Sequence, residues 1–189
     1  MKRLAVYCGS SMGADPSFAD AARAIGEEMA RRGIGLVYGG GRLGLMGVVA
    51  DAVLERGGEA FGVIPQALID LEVAHNGLTE IHVVTTMHER KAKMTELTDA
   101  FVALPGGIGT FDELIEAWTW NSLGYHAKPF ALLNVAGFWD GMVSFLDHAT
   151  QSGFMSASRR EQLIVADRIG EVIDKLDAAA KVGTRKMVW

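Results

Sequence analysis

The sequence predicts an α/β fold built on an open, mostly parallel sheet with helices on both faces. Three observations lead there. Short apolar runs alternate with amphipathic helical patterns along the chain. The runs are apolar at nearly every position, as strands covered on both faces must be. The turns that follow three of them are made of glycine and serine, the residues that bring backbone close to a ligand at the carboxyl edge of such a sheet.

In chain order, "RLAVYC" is the first strand and runs into Gly9-Ser10-Ser11. Asp15 followed by Pro16 gives a cap and a first-turn proline, and Phe18, Ala22, Ile25 and Met29 form one helical stripe that ends at Gly33. "GLVYGG" is the second strand and enters Gly39-Gly40-Gly41; Gly44 and Gly47, in the helix behind it, read equally well as packing glycines. "EAFGVI" and "EIHVV" are the third and fourth strands. Thr86 and Glu89 then spell a T-x-x-E cap, with Met87, Arg90 and Met94 on one face of the helix they open. "AFVALPGG", the fifth strand, passes into Gly106-Gly107-Ile108-Gly109-Thr110. In the helix after it, Leu114, Ile115, Trp118 and Trp120 read as core or subunit contact. "FALLN" and "LIVA" complete the set. Ser158 with Glu161 gives a capping-box pattern, and Asp167 precedes the last amphipathic helix, "RIGEVIDKLDAAAK".

With 189 residues, 49% of them hydrophobic, and no linker, repeat or low-complexity tract, the chain reads as a single domain over residues 1–189. Its only cysteine, Cys8, excludes an intrachain disulfide and points to a reducing, cytoplasmic setting. The apolar stretch after Met1-Lys2-Arg3 is too short for a signal-peptide core, and no run is long enough to span a membrane. Net charge is −5 with the 18 Lys and Arg dispersed, which argues against nucleic acid as a partner. An anionic ligand must therefore be held by local geometry.

Several glycine turns on one sheet edge suit a ligand of nucleotide size, because bare N–H groups and a helix N-terminus favour phosphate. Gly39, Gly41 and Gly44 match G-x-G-x-x-G, but Pro65 and Gln66 stand where a dinucleotide site needs an acid, and no G-x-x-x-x-G-K-[ST] loop occurs. Thr110 and Glu113 spell a second T-x-x-E. As a capping box it leaves Gly106, Gly107 and Gly109 unexplained; as a ligand site it requires Glu113 to aim away from any phosphate at the helix start. Arg90 on an apolar stripe either snorkels to a surface acid or meets a ligand oxygen or Glu113; the second reading is favoured for Arg90, and for Lys91 the two stand level. The five histidines, His75, His82, His88, His126 and His148, make no metal motif, so no metal or cofactor is expected. No G-x-S-x-G elbow occurs and Cys8 has no evident base.

On "PGGIGTFDE" together with "MHERK", "CGSS", "YGGG" and "LLNVAGFWD", the chain resembles the Lonely-guy family of cytokinin-activating phosphoribohydrolases, once labelled possible lysine decarboxylases. The resemblance implies a Rossmann-like fold and a homodimer. It also implies hydrolysis of the N-glycosidic bond of N6-substituted adenosine 5′-monophosphates, and of AMP, to free base and ribose 5-phosphate. Carried over by position, Gly106, Gly107, Gly109 and Thr110 would cradle the 5′-phosphate, with Ser10, Gly40, Met87 and Lys91 as further substrate contacts and Arg90 and Glu113 as the catalytic pair. The chain departs from the family at Phe111, where leucine is common, and at Asn121-Ser122. Two rivals are a non-catalytic nucleotide carrier or sensor on the same fold and pyridoxal-dependent decarboxylation, for which Lys91 is the only lysine in a plausible place.

Overall fold

Each of the seven apolar runs becomes a strand in the computed structural model, which describes residues 1–71 and 73–183. In chain order the elements are β1 (Arg3–Tyr7), α1 (Pro16–Arg31), β2 (Gly35–Tyr38), α2 (Gly44–Glu55), β3 (Ala60–Pro65), α3 (Gln66–Asp70), β4 (Glu80–Val84) and α4 (Met87–Leu97). They continue as β5 (Ala100–Ala103), α5 (Ile108–Ser122), β6 (Phe130–Leu133), a 3-10 turn (Val135–Gly137), α6 (Asp140–Gln151), α7 (Ala157–Gln162), β7 (Leu163–Ala166) and α8 (Ile169–Gly183).

The strands pair in the order β4-β3-β2-β1-β5-β6-β7, and every ladder is parallel. The chain builds outward from β1 to β4, returns to lay β5 on the other side of β1, and builds outward again. Its winding therefore reverses between β1 and β5, and the crevice beyond their carboxyl ends is where such a sheet binds ligands.

Alternate residues of the inner strands feed two cores; the edge strand β4 is largely exposed. Leu4, Val6, Leu36 and Tyr38 pack with Ile25 and Met29 of α1, Val49 and Val53 of α2 and Ile173 of α8. Ala5, Tyr7, Val37 and Phe101 pack on the other face with Met94 of α4, Leu114 and Trp118 of α5 and Leu146 of α6. This two-sided burial is why the inner strand runs carry no polar alternation, while β4 at the edge carries Glu80 and His82. Leu114 and Trp118 are thus core; Ile115 and Leu123 of the same stretch remain exposed.

The local signals act mostly as read. Asp15 Oδ1 accepts from the Ser17 N–H at 2.9 Å to start α1, and Gly33, at φ 68°, ends its turn. Gly26 lets α1 cross α2 closely: a Cβ there would lie 2.7 Å from the Val49 carbonyl oxygen. One cap is misplaced by the sequence reading. Ser156, not Ser158, caps α7, because Ser156 has the extended backbone a cap needs and accepts from the Arg159 N–H, while Ser158 already lies inside the helix. Among the described residues no helix is long and apolar enough to cross a membrane.

Candidate active site

Three strand-to-helix turns meet at the carboxyl edge and touch through glycine. The Gly9 N–H donates to the Pro105 carbonyl at 3.1 Å, joining the β1 and β5 turns. Gly44, at φ 58°, lies so close to the β1 turn that a Cβ would be 2.3 Å from the Ser10 carbonyl carbon. Gly106 is equally closed, since its Cβ would be 2.1 Å from Thr110 Oγ1. Gly107 and Gly109 differ: nothing lies within 4 Å of the Cβ either would carry. They leave one wall of a cavity of about 530 Å³ bare; Ser10, Gly39, Arg90, Thr110 and Glu113 also line it.

The sequence reading placed the start of α5 too late. The helix begins at Ile108 with Gly107 as its cap residue, so Thr110 is its third residue and lies buried. A capping side chain must precede the helix on extended backbone, and Thr110 does not, so the T-x-x-E pattern at Thr110 and Glu113 forms no cap. Neither Asp112 nor Glu113 falls in the first turn. The opening N–H groups of α5 have no capping side chain, and the cavity runs along them. The matching pattern at Thr86 does form a capping box: Thr86 Oγ1 accepts from the Glu89 N–H at 3.1 Å, and Glu89 Oε2 accepts from the Thr86 N–H at 3.3 Å.

That box fixes the start of α4, and one turn later Arg90 enters the cavity wall. Only 8% of Arg90 is exposed. Its Nε donates to the Val63 carbonyl at 3.1 Å, and its Nη2 lies 3.5 Å from Glu113 Oε1. The guanidinium rests against Gly39, where a Cβ would sit 1.8 Å from Nη2. A buried arginine needs such partners, because the cost of desolvating it is several kcal/mol.

Burial pushes the Glu113 carboxyl above the usual carboxylate range; Arg90 and Lys91 pull it down, Asp112 adds to the rise, and the net effect is upward. Desolvation thus outweighs the arginine partner, which by itself would set the carboxyl low. Behind Glu113, burial and then the Glu113 charge push the Tyr7 phenol and the Cys8 thiol upward. Cys8 stays a thiol and is no nucleophile.

Of the ligand contacts read from the sequence, Ser10, Met87, Arg90, Gly107, Gly109, Thr110 and Glu113 line the cavity. Gly40, Gly106 and Lys91 are not among the lining residues. Gly40 makes the β2 turn at φ 74° with its Cβ position against Ile64, and Gly106 is the close contact already described. Lys91 turns its Nζ to Glu116 Oε2 at 2.7 Å and Asp112 Oδ2 at 3.0 Å. Burial works to lower its ammonium, but the Glu116 and Asp112 carboxylates outweigh it and the net shift is upward. A lysine held charged is a poor Schiff-base nucleophile, which removes the residue that pyridoxal chemistry needs.

An apolar wall escaped the sequence reading. Leu43, Met46, Ile64, Leu68 and Val73 line the cavity opposite α5. Val73 arrives there because its carbonyl accepts from the Arg42 N–H at 2.9 Å, docking the chain after α3 on the β2 turn. No motif signals such a contact. Phe111, the departure from the family pattern, stacks edge-on against Trp139 with ring centroids 5.7 Å apart and is not among the cavity's lining residues. Asn121 Nδ2 donates to the Lys128 carbonyl at 3.2 Å, likewise outside the lining. No group of three or more metal-ligating side chains occurs among the described residues.

The model of a family described as "Possible lysine decarboxylase" matches residues 46–176. The chain is 46% identical over 188 residues to the cytokinin riboside 5′-monophosphate phosphoribohydrolase LOG of Oryza sativa subsp. japonica, covering 100% of this chain and 78% of that protein. It is 44% identical over 191 residues to LOG3 of Arabidopsis thaliana, covering 100% and 89%. Among solved structures, the Moco carrier protein of Chlamydomonas reinhardtii superposes with a TM-score of 0.72 over 96% of this chain and 98% of that one; at 20% identity the likeness is one of fold. A family model over two thirds of the sequence and relatives that match it from end to end make the chain a member of the possible lysine decarboxylase family, in which its relatives are the LOG phosphoribohydrolases.

Proposed function

We propose that this protein, acting as one α/β domain, is a phosphoribohydrolase. It hydrolyses the N-glycosidic bond of cytokinin riboside 5′-monophosphates, the activity its relatives are named for, and of AMP, giving free base and ribose 5-phosphate. The observation that carries the reading is the buried Arg90–Glu113 pair facing a cavity whose other wall is the uncapped start of α5. One region suits an anion; the other suits a cation formed at the middle of the same substrate.

The N-terminal amides of α5 and the bare Gly107–Thr110 wall hold the 5′-phosphate. Cleaving C1′–N9 sends the bonding electrons to the base, and the sugar becomes oxocarbenium-like. The Glu113 carboxylate, poorly screened in its buried position, stabilises that charge through the 2′-hydroxyl and takes a proton from the attacking water. The water oxygen bonds to C1′, and the proton passes on to the departing base. Arg90 keeps Glu113 ionised and in place. The apolar wall from Leu43 to Val73 receives the base.

Gly109→Ala tests the phosphate wall. The added methyl meets no protein atom, so the melting temperature should hold or rise slightly, as helix propensity favours alanine by up to about 1 kcal/mol. KM should rise about tenfold, the equivalent of one lost phosphate hydrogen bond. An unchanged KM would remove Gly109 from the site.

The reading itself is tested by product analysis on nucleoside 5′-monophosphates, with and without N6 substituents, beside the same nucleosides lacking phosphate. Ribose 5-phosphate should appear from the adenine monophosphates, and kcat/KM should fall about 100-fold or more without the phosphate, since remote binding energy then no longer serves the reacting bond. Binding without product would make the protein a carrier instead. Cytoplasmic placement, favoured by the lone thiol, and a homodimer belong to the same proposal. The exposed Ile115 and Leu123 of the α5 region are the surface a second copy would cover.

A further inference from the structure

α5 carries three carboxylates, Asp112, Glu113 and Glu116, within little more than one turn. Like charges so spaced repel one another, and only Glu113 pairs with Arg90. Successive residues of a helix point about 100° apart, so α4 offers two cations in two directions. Arg90 goes to the cavity. Lys91, only 8% exposed, goes to the flank of α5, with Nζ 2.7 Å from Glu116 and 3.0 Å from Asp112.

We propose that Lys91 is a positioning residue: it clamps α4 to α5 and neutralises Asp112 and Glu116, so that Glu113 meets Arg90 in register and without two uncompensated neighbouring charges. It acts through Glu113 and not on the substrate, and the inference rests on the phosphoribohydrolase reading above.

The groups around Glu113 give that role a signature. α4 presents Arg90 and Lys91, both of which favour its ionised form; α5 presents Asp112, which opposes it. β1 presents Tyr7 and the turn after it Cys8, whose own acidities are suppressed by burial, so they face Glu113 as neutral groups. Without Lys91 the Asp112 charge acts unopposed from that side, and Glu113 ionises at higher pH than in the intact protein.

The test is the pH profile of kcat/KM for AMP hydrolysis by the full chain and its Lys91→Met and Lys91→Arg variants. Lys91→Met should move the acid limb to higher pH with KM at alkaline pH unchanged, and Lys91→Arg should restore the limb. A rise in KM of about tenfold or more with the limb unmoved would put Lys91 on the substrate phosphate and overturn the proposal; so would a variant whose KM and limb both match the parent. If Lys91→Met does not fold, Asp112→Asn with Glu116→Gln carries the test, because removing both acids should move the limb to lower pH, and an unmoved limb overturns the proposal. Absence of product from the parent chain would instead sink the phosphoribohydrolase reading, which separates the two failures.

Discussion

Glu113→Gln should lower kcat by about 100-fold or more, the usual scale for deleting a preorganised charged group at a reacting centre. The substitution is close to isosteric and leaves a hydrogen-bonding side chain beside Arg90, so the loss reports charge and basicity and not shape. KM should change far less, because the proposed phosphate grip, the α5 amides and the glycine wall, is left untouched. The residual rate should also lose its acid limb, since the base whose protonation sets that limb is gone. Steady-state release of ribose 5-phosphate across pH measures all three quantities. Near-normal turnover would dismiss Glu113 from the chemistry.

Arg90→Gln should be nearly as damaging, on the order of 100-fold in kcat/KM, and for a composite reason. Glu113 acts as a base only when ionised, and burial already raises the pH that this requires. Arg90 is one of the groups pulling it back. Removing it therefore shifts the acid limb to higher pH, so part of the loss should be recovered on making the solution more alkaline. Arg90→Lys should not rescue fully, because an ammonium lacks the fork that donates to the Val63 carbonyl from Nε while Nη2 faces Glu113. A rise in KM with an unshifted limb would show that Arg90 grips the phosphate and leaves Glu113 to itself.

Much of this architecture was legible from sequence. The inner strands could be read because they are covered on both faces and therefore apolar throughout, a pattern that needs no knowledge of partners, whereas the edge strand β4, with Glu80 and His82, is largely exposed and was legible only by its valines and isoleucine. The three turns that meet at the cavity announced themselves by glycine. Local chemistry misled at α5: T-x-x-E at Thr110 imitates the cap that the same pattern makes at Thr86, and only the backbone around Gly107 distinguishes them. Side-chain direction was also hidden. Arg90 and Lys91 are neighbours of similar charge, yet one reaches the cavity and the other the flank of α5, which follows from helix phase relative to a partner that lies 21 residues further on in the case of Asp112. The apolar wall at Leu68 and Val73 depends on how the chain after α3 folds back on the β2 turn, a long-range pairing with no local signature.

The contact between Gly39 and Arg90 bears on how the proposed active site can be altered. A methyl at position 39 and a guanidinium at position 90 claim the same volume. Any side chain introduced at 39 must displace the guanidinium from its place beside Glu113. A hydrogen atom in the β2 turn is thus what leaves room for the guanidinium, and redesign of either position has to treat the two as one unit.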